Sequence, residues 1–137
     1  MPGAAVLLCP WIDFGTARQN ALPPELDQMQ HMTTEHYLAG HPPDDPVVCP
    51  LNADLTRLPP MLVQAATGDP ILQDATSLVD HAADARVDAR FELFPVDTHD
   101  FHIFWSFLPE AASAMRQAGR FIRQARLGPA STTKASG

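Results

Sequence analysis

Apolar residues in this chain gather into short runs separated by proline-rich breaks. Ala4 to Cys9 (AAVLLC) is continuous and closed by Pro10, and Met61 to Ala66 (MLVQAA) follows Pro59-Pro60. Runs this short, without polar alternation, predict strands buried on both faces, as in a parallel sheet. Arg90 to Phe94 alternates instead, with Phe91 and Leu93 on one face and Arg90 and Glu92 on the other, which predicts a half-covered strand near a sheet edge.

Between the second and third strands, Leu72, Ala75, Leu78, Ala82 and Ala85 recur at three- and four-residue steps and predict an amphipathic helix. A last helix starts at Pro109, continues through Ala111, Met115, Ala118 and Ile122 with Leu108 at its head, and stops at Gly128-Pro129. A further helical stretch is expected from Pro23-Pro24 to about Leu38, after a turn at Asp13 to Thr16. Gly40 to Pro50, with four prolines, reads as loop. Strands alternating with helices predict an α/β fold: about three mostly parallel strands with flanking helices, in one domain over residues 1–127 and a disordered tail over 128–137.

Composition narrows the function. At 137 residues, 45% apolar and 18% charged, the chain can bury one real core. A net charge of −7 argues against tracking a nucleic-acid backbone, and Arg116, Arg120, Arg123 and Arg126 read as a solvated helix face. Cys9 and Cys49 are expected to be ordinary core or loop thiols. No apolar run approaches the length of a membrane span or signal segment, so the expected location is cytoplasmic.

Ligands of parallel sheets bind beyond the carboxyl ends of the strands. Asp69, in Gly68-Asp69-Pro70, and His99, in Asp97-Thr98-His99-Asp100-Phe101, each fall just past such an end. A carboxylate that fixes an imidazole's tautomer, and an imidazole that takes a proton, are two members of a hydrolase triad, in the order acid then base. Gly68-Asp69-Pro70 equally suits a helix N-cap, a role compatible with the first. Asp74 competes for the acid role, but its place inside the helix predicts a surface carboxylate or one facing the helix dipole. His102 competes for the base and is expected to pack nearby. Asp97, His99, Asp100 and His102 are a weak metal set, because nothing places a second ligand group by spacing. Trp11 and Asp13 read as structural. Phe101, Phe104, Trp105 and Phe107 read as core or acyl-pocket packing, and His31, His36, His41 and His81 as solvent-facing.

Five segments in order, Leu7-Leu8-Cys9-Pro10-Trp11-Ile12-Asp13, Asp45 to Leu51 (DPVVCPL), Leu58 to Gln64 (LPPMLVQ), Gly68 to Asp74 (GDPILQD) and Pro95-x-x-x-His99-x-Phe101, resemble the C-terminal half of the hormone-sensitive-lipase-like family. Phe107-Leu108-Pro109-Glu110-Ala111 continues the match, which covers roughly residues 4 to 124. These are carboxylesterases and lipases of the α/β-hydrolase fold. The resemblance implies a partial α/β-hydrolase fold, Asp69 as triad acid, His99 as triad base, an acyl-ester substrate and no cofactor or metal. His99 to Pro109 suits the family's spacing better than a count from His102.

The chain departs from the family at the nucleophile. It contains no Gly-x-Ser-x-Gly, and Ser77, Ser106, Ser113, Ser131 and Ser136 all lack the flanking glycines of the elbow. The family's oxyanion-hole His-Gly-Gly segment would also lie upstream. The expectation is a segment that hydrolyses esters only when serine and oxyanion donors are supplied. The alternative is a non-catalytic remnant acting as a binding module, with self-association or a partner chain at the open edge of its first strand.

Overall fold

A computed structural model describes residues 2–14 and 32–127. Three strands, β1 (Ala5–Leu8), β2 (Met61–Ala66) and β3 (Ala89–Phe94), form one sheet in the order β1-β2-β3. Both pairings are parallel, with Ala5 opposite Met61 and Met61 opposite Ala89. Helix α1 (Leu72–Asp84) joins β2 to β3, and helix α2 (Pro109–Leu127) follows β3. The expected α/β order is observed.

Central position makes β2 the core, and all six of its residues are buried. Alternation sends its two faces to different helices. Met61, Val63 and Ala65 pack with Ala75, Leu78 and Ala82 of α1, while Ala66 packs with Ala111 and Ala114 of α2. The sheet is therefore sandwiched between α1 and α2.

Several expectations need correction. β1 is only half-buried and Leu8 is exposed, because among the described residues it pairs with β2 alone. Along β3, Phe91 joins the core as expected, but Leu93 is exposed and Glu92 is tucked against Gln64. On α2 the buried stripe is Ala111, Ala114 and Ala118, while Met115 and Ile122 face out. Small side chains let α2 approach β2 closely enough for the Ala114 carbonyl to accept a hydrogen bond from Gln64 Nε2 at 3.0 Å. The arginines of α2 are exposed, as expected.

Residues 32–38 are helical, and Gly40–Pro50 is a series of turns leading into a 3₁₀ turn at Pro50–Asn52. The rest of the stretch expected from Pro23, residues 15 and 16 of the expected turn, His31 and the tail at 128–137 lie outside the described residues. His36 and His41 are exposed as expected, but His81 is half-buried, its Nε2 2.9 Å from the Ala53 carbonyl.

Candidate active site

Parallel strands place their carboxyl ends on one rim, and three chain segments leave the sheet there. β1 ends into Cys9, β2 into Thr67-Gly68-Asp69, and β3 into the loop from Pro95 to Asp100. The last two segments continue side by side beyond the strands. Thr67 N–H donates to the Phe94 carbonyl and Gly68 N–H to the Val96 carbonyl, both at 2.9 Å. Gly68 permits this approach: a Cβ there would lie 2.5 Å from Asp97 Cα. The close crossing brings Asp69 and His99 within reach.

Asp69 is buried, and each carboxylate oxygen has a task. Oδ1 accepts the Ile71 N–H at 2.9 Å, a turn that leads into α1, and Oδ2 faces His99 Nδ1 at 3.0 Å. Asp69 is therefore not the N-cap of α1, a position held by Ile71, but closes the turn before it while also facing the imidazole. The His99 ring is 37% exposed, so its edge is accessible from the rim. Its Nε2 lies 3.3 Å from Oδ2 of Asp100, a carboxylate more than half exposed and therefore easily displaced. With Nδ1–H donating to Asp69, Nε2 is the nitrogen that can accept a proton.

The competing residues go elsewhere. Asp74 is buried, against expectation, because Oδ2 accepts the backbone N–H groups of Ile12 at 2.8 Å and Asp13 at 3.1 Å. It ties the segment after β1 to the first turn of α1. His102 is buried beside Phe101, the two rings tilted with centroids 4.0 Å apart, and its Nε2 lies 3.2 Å from Gln64 Oε1 rather than at Asp69. Gln64 Nε2 donates to Glu92 and to the Ala114 carbonyl, so its Oε1 accepts from His102, and Nδ1 is the bare nitrogen. That Nδ1 is buried without a partner. Burial holds the His102 imidazole below its ordinary range. Phe101 is fully buried, as expected, whereas Trp105 and Phe107 are exposed rather than packed in the core. Trp11 is half-buried and donates from Nε1 to the Asp13 carbonyl at 3.2 Å.

Sequence reasoning missed Cys9 as a neighbour of the pair. Its backbone has φ of 43°, in a region uncommon for side-chain-bearing residues, and its N–H donates to the Gln64 carbonyl at 2.8 Å. Burial pushes its thiol up to about 12, and the adjacent Asp69 carboxylate adds to the rise. Cys9 is thus a neutral thiol rather than a ready nucleophile. The available signal was positional: Cys9 ends a strand at the same rim as Asp69.

Comparison with known proteins places these elements in context. A family model described as alpha/beta hydrolase fold matches residues 1–103. An acetyl-hydrolase of Streptomyces hygroscopicus is 33% identical over 132 residues, 91% of this chain and 44% of that protein. An esterase of Acinetobacter venetianus is 30% identical over 128 residues, 88% of this chain and 42% of that protein. Among solved structures, an esterase from the bacterial hormone-sensitive lipase family superposes with a TM-score of 0.76 at 35% identity, over 90% of this chain and 43% of that one. An esterase/lipase from an uncultured bacterium gives 0.76 at 27% identity, over 91% and 44%. The chain spans less than half the length of these relatives.

Proposed function

This chain belongs to the α/β-hydrolase fold family of esterases and lipases, and on that premise we propose that it carries the acid–base pair of a serine-type carboxylic ester hydrolase. Asp69 is the acid and His99 the base. The observation that carries this reading is the 3.0 Å contact between His99 Nδ1 and a buried Asp69 carboxylate at the carboxyl rim of a parallel sheet.

Asp69 holds the ring with Nδ1 protonated and Nε2 turned toward the nucleophile. Nε2 takes the serine hydroxyl proton as the oxygen attacks the ester carbonyl. It then gives that proton to the departing alcohol, and Asp69 stabilises the transient imidazolium. The substrate is a small acyl ester. The chain has no serine set between elbow glycines, so the serine and oxyanion donors come from polypeptide beyond these 137 residues. Among the described residues β1 pairs with β2 alone, so its other side is open to strands from that polypeptide.

A chimaera tests this directly. In it, this chain replaces the matching 44% of the Streptomyces acetyl-hydrolase. Hydrolysis of a p-nitrophenyl ester that depends on Asp69 and His99 supports the proposal. A folded but inactive chimaera favours the other reading, a non-catalytic binding module.

A further inference from the structure

Three donors of different chemistry meet where the strands end. Cys9 follows β1, Asp69 follows β2 and His99 follows β3, and one ligating atom from each lies within 4.8 Å of the other two. Among the described residues this is the set of three such groups that converges; the Asp97, Asp100 and His102 side chains do not join it. Asp69 and His99 already approach to 3.0 Å. Donor spacings around a tetrahedral zinc ion are about 3.3–3.8 Å, given bonds of about 2.0–2.3 Å. Seating an ion therefore requires Asp69 and His99 to part by a few tenths of an ångström and the thiol to move in by at most about 1 Å, within reach of small side-chain rotations.

We propose that Cys9, Asp69 and His99 form a binding site for Zn²⁺, or a metal of similar softness, that holds the hydrolytic pair in an inactive state. Thiolate, imidazole nitrogen and carboxylate oxygen are all ordinary zinc ligands, whereas Mg²⁺ and Ca²⁺ prefer oxygen alone. Cys9 and Asp69 are buried, which shields the ion on the protein side, and the partly exposed His99 leaves a fourth position for water.

The chemistry balances simply. Cys9 gives up its thiol proton to solvent as its sulfur binds the ion. His99 binds through Nδ1, the nitrogen facing Asp69, and remains neutral by carrying its proton on Nε2 instead. Asp100 Oδ2, 3.3 Å away, accepts a hydrogen bond from that new N–H. An imidazole protonated on Nε2 cannot take a proton from a serine. The site stands on the three donors alone; only its inhibitory consequence rests on the hydrolytic role proposed for His99.

Titrating the 137-residue chain with Co²⁺ reads the site through the thiolate-to-cobalt charge-transfer band. One equivalent should develop the band, and Zn²⁺ should abolish it by displacement. Cys9→Ser should lose the band, Cys49→Ser should keep it, and His99→Ala should weaken Co²⁺ binding by about tenfold or more. No saturable band, or a band that survives in Cys9→Ser, overturns the site. In the active chimaera, Zn²⁺ should suppress ester hydrolysis and a chelator should restore it. An active chimaera indifferent to saturating Zn²⁺ overturns the inhibitory consequence. A folded but inactive chimaera refutes the hydrolytic role, and the Co²⁺ titration still decides the site.

Discussion

Replacing Gly68 by alanine should separate the acid from the base. The new Cβ would meet Asp97 Cα at 2.5 Å and Asp97 Oδ1 at 2.8 Å, where 3.4–4 Å is ordinary contact. The first of these is backbone, so no rotamer change relieves it. The loops after β2 and β3 must part by about 1 Å, an overpacking that costs about 1–3 kcal/mol. The 2.9 Å bond from Gly68 N–H to the Val96 carbonyl stretches with them, at about 0.5–1.5 kcal/mol. Alanine also restricts the unfolded chain, which returns about 0.4–1 kcal/mol. Gly68 is not in the left-handed region, so alanine adds no backbone strain.

The net loss should be about 1–3 kcal/mol, read as a lower urea midpoint at unchanged slope. The downfield NMR resonance of the His99 Nδ1 proton should shift or broaden as its bond to Asp69 lengthens. Wild-type stability together with an unchanged His99 resonance would refute the claim that this crossing sets the pair's geometry.

Other parts of the molecule can be probed in the same way. Asp74→Ala removes the acceptor of the Ile12 and Asp13 N–H groups and should destabilise the chain by about 3 kcal/mol in urea unfolding. A loss under about 0.5 kcal/mol would show that the link to α1 contributes little. His102 should make the fold acid-sensitive. Its folded pKa is lowered by burial, so its contribution is complete above the unfolded value of about 6.5 and is lost as pH falls through the folded one. His102→Gln should therefore lose less stability than wild type between pH 7.5 and pH 5, and equal losses would contradict the assignment. Ala114→Leu should destabilise by about 1–3 kcal/mol, since Ala114 is fully buried where α2 meets β2; near-neutral stability would mean that α2 docks loosely.

How far the sequence foretold this structure depended on the range of the interactions involved. β2 was readable because a central parallel strand is apolar on both faces, and MLVQAA has that character. The same signal overstated β1, since an apolar run does not tell a central strand from an edge. Asp74 and His81 sit at ordinary helix positions, and their partners arrive from Ile12, Asp13 and Ala53, distant in sequence. No local pattern announces such contacts. On α2, counting large apolar residues favoured Met115 and Ile122, but the polar Gln64 on β2 calls for a close approach that alanines allow. Asp69 and His99 could be paired from the sequence because both follow strand ends, which the parallel register brings to one rim. Cys9 obeys the same rule and was missed because a lone thiol suggested no partner.

The central claim is that Asp69 and His99 form a working acid–base pair once a serine is supplied. The most direct test measures kcat for p-nitrophenyl ester hydrolysis by the chimaera and by its Asp69→Asn and His99→Ala variants, each verified as folded. Both substitutions should reduce kcat by about 10⁴-fold, as expected when a triad loses its base or its correct tautomer. A loss of less than about tenfold in either folded variant would contradict the account.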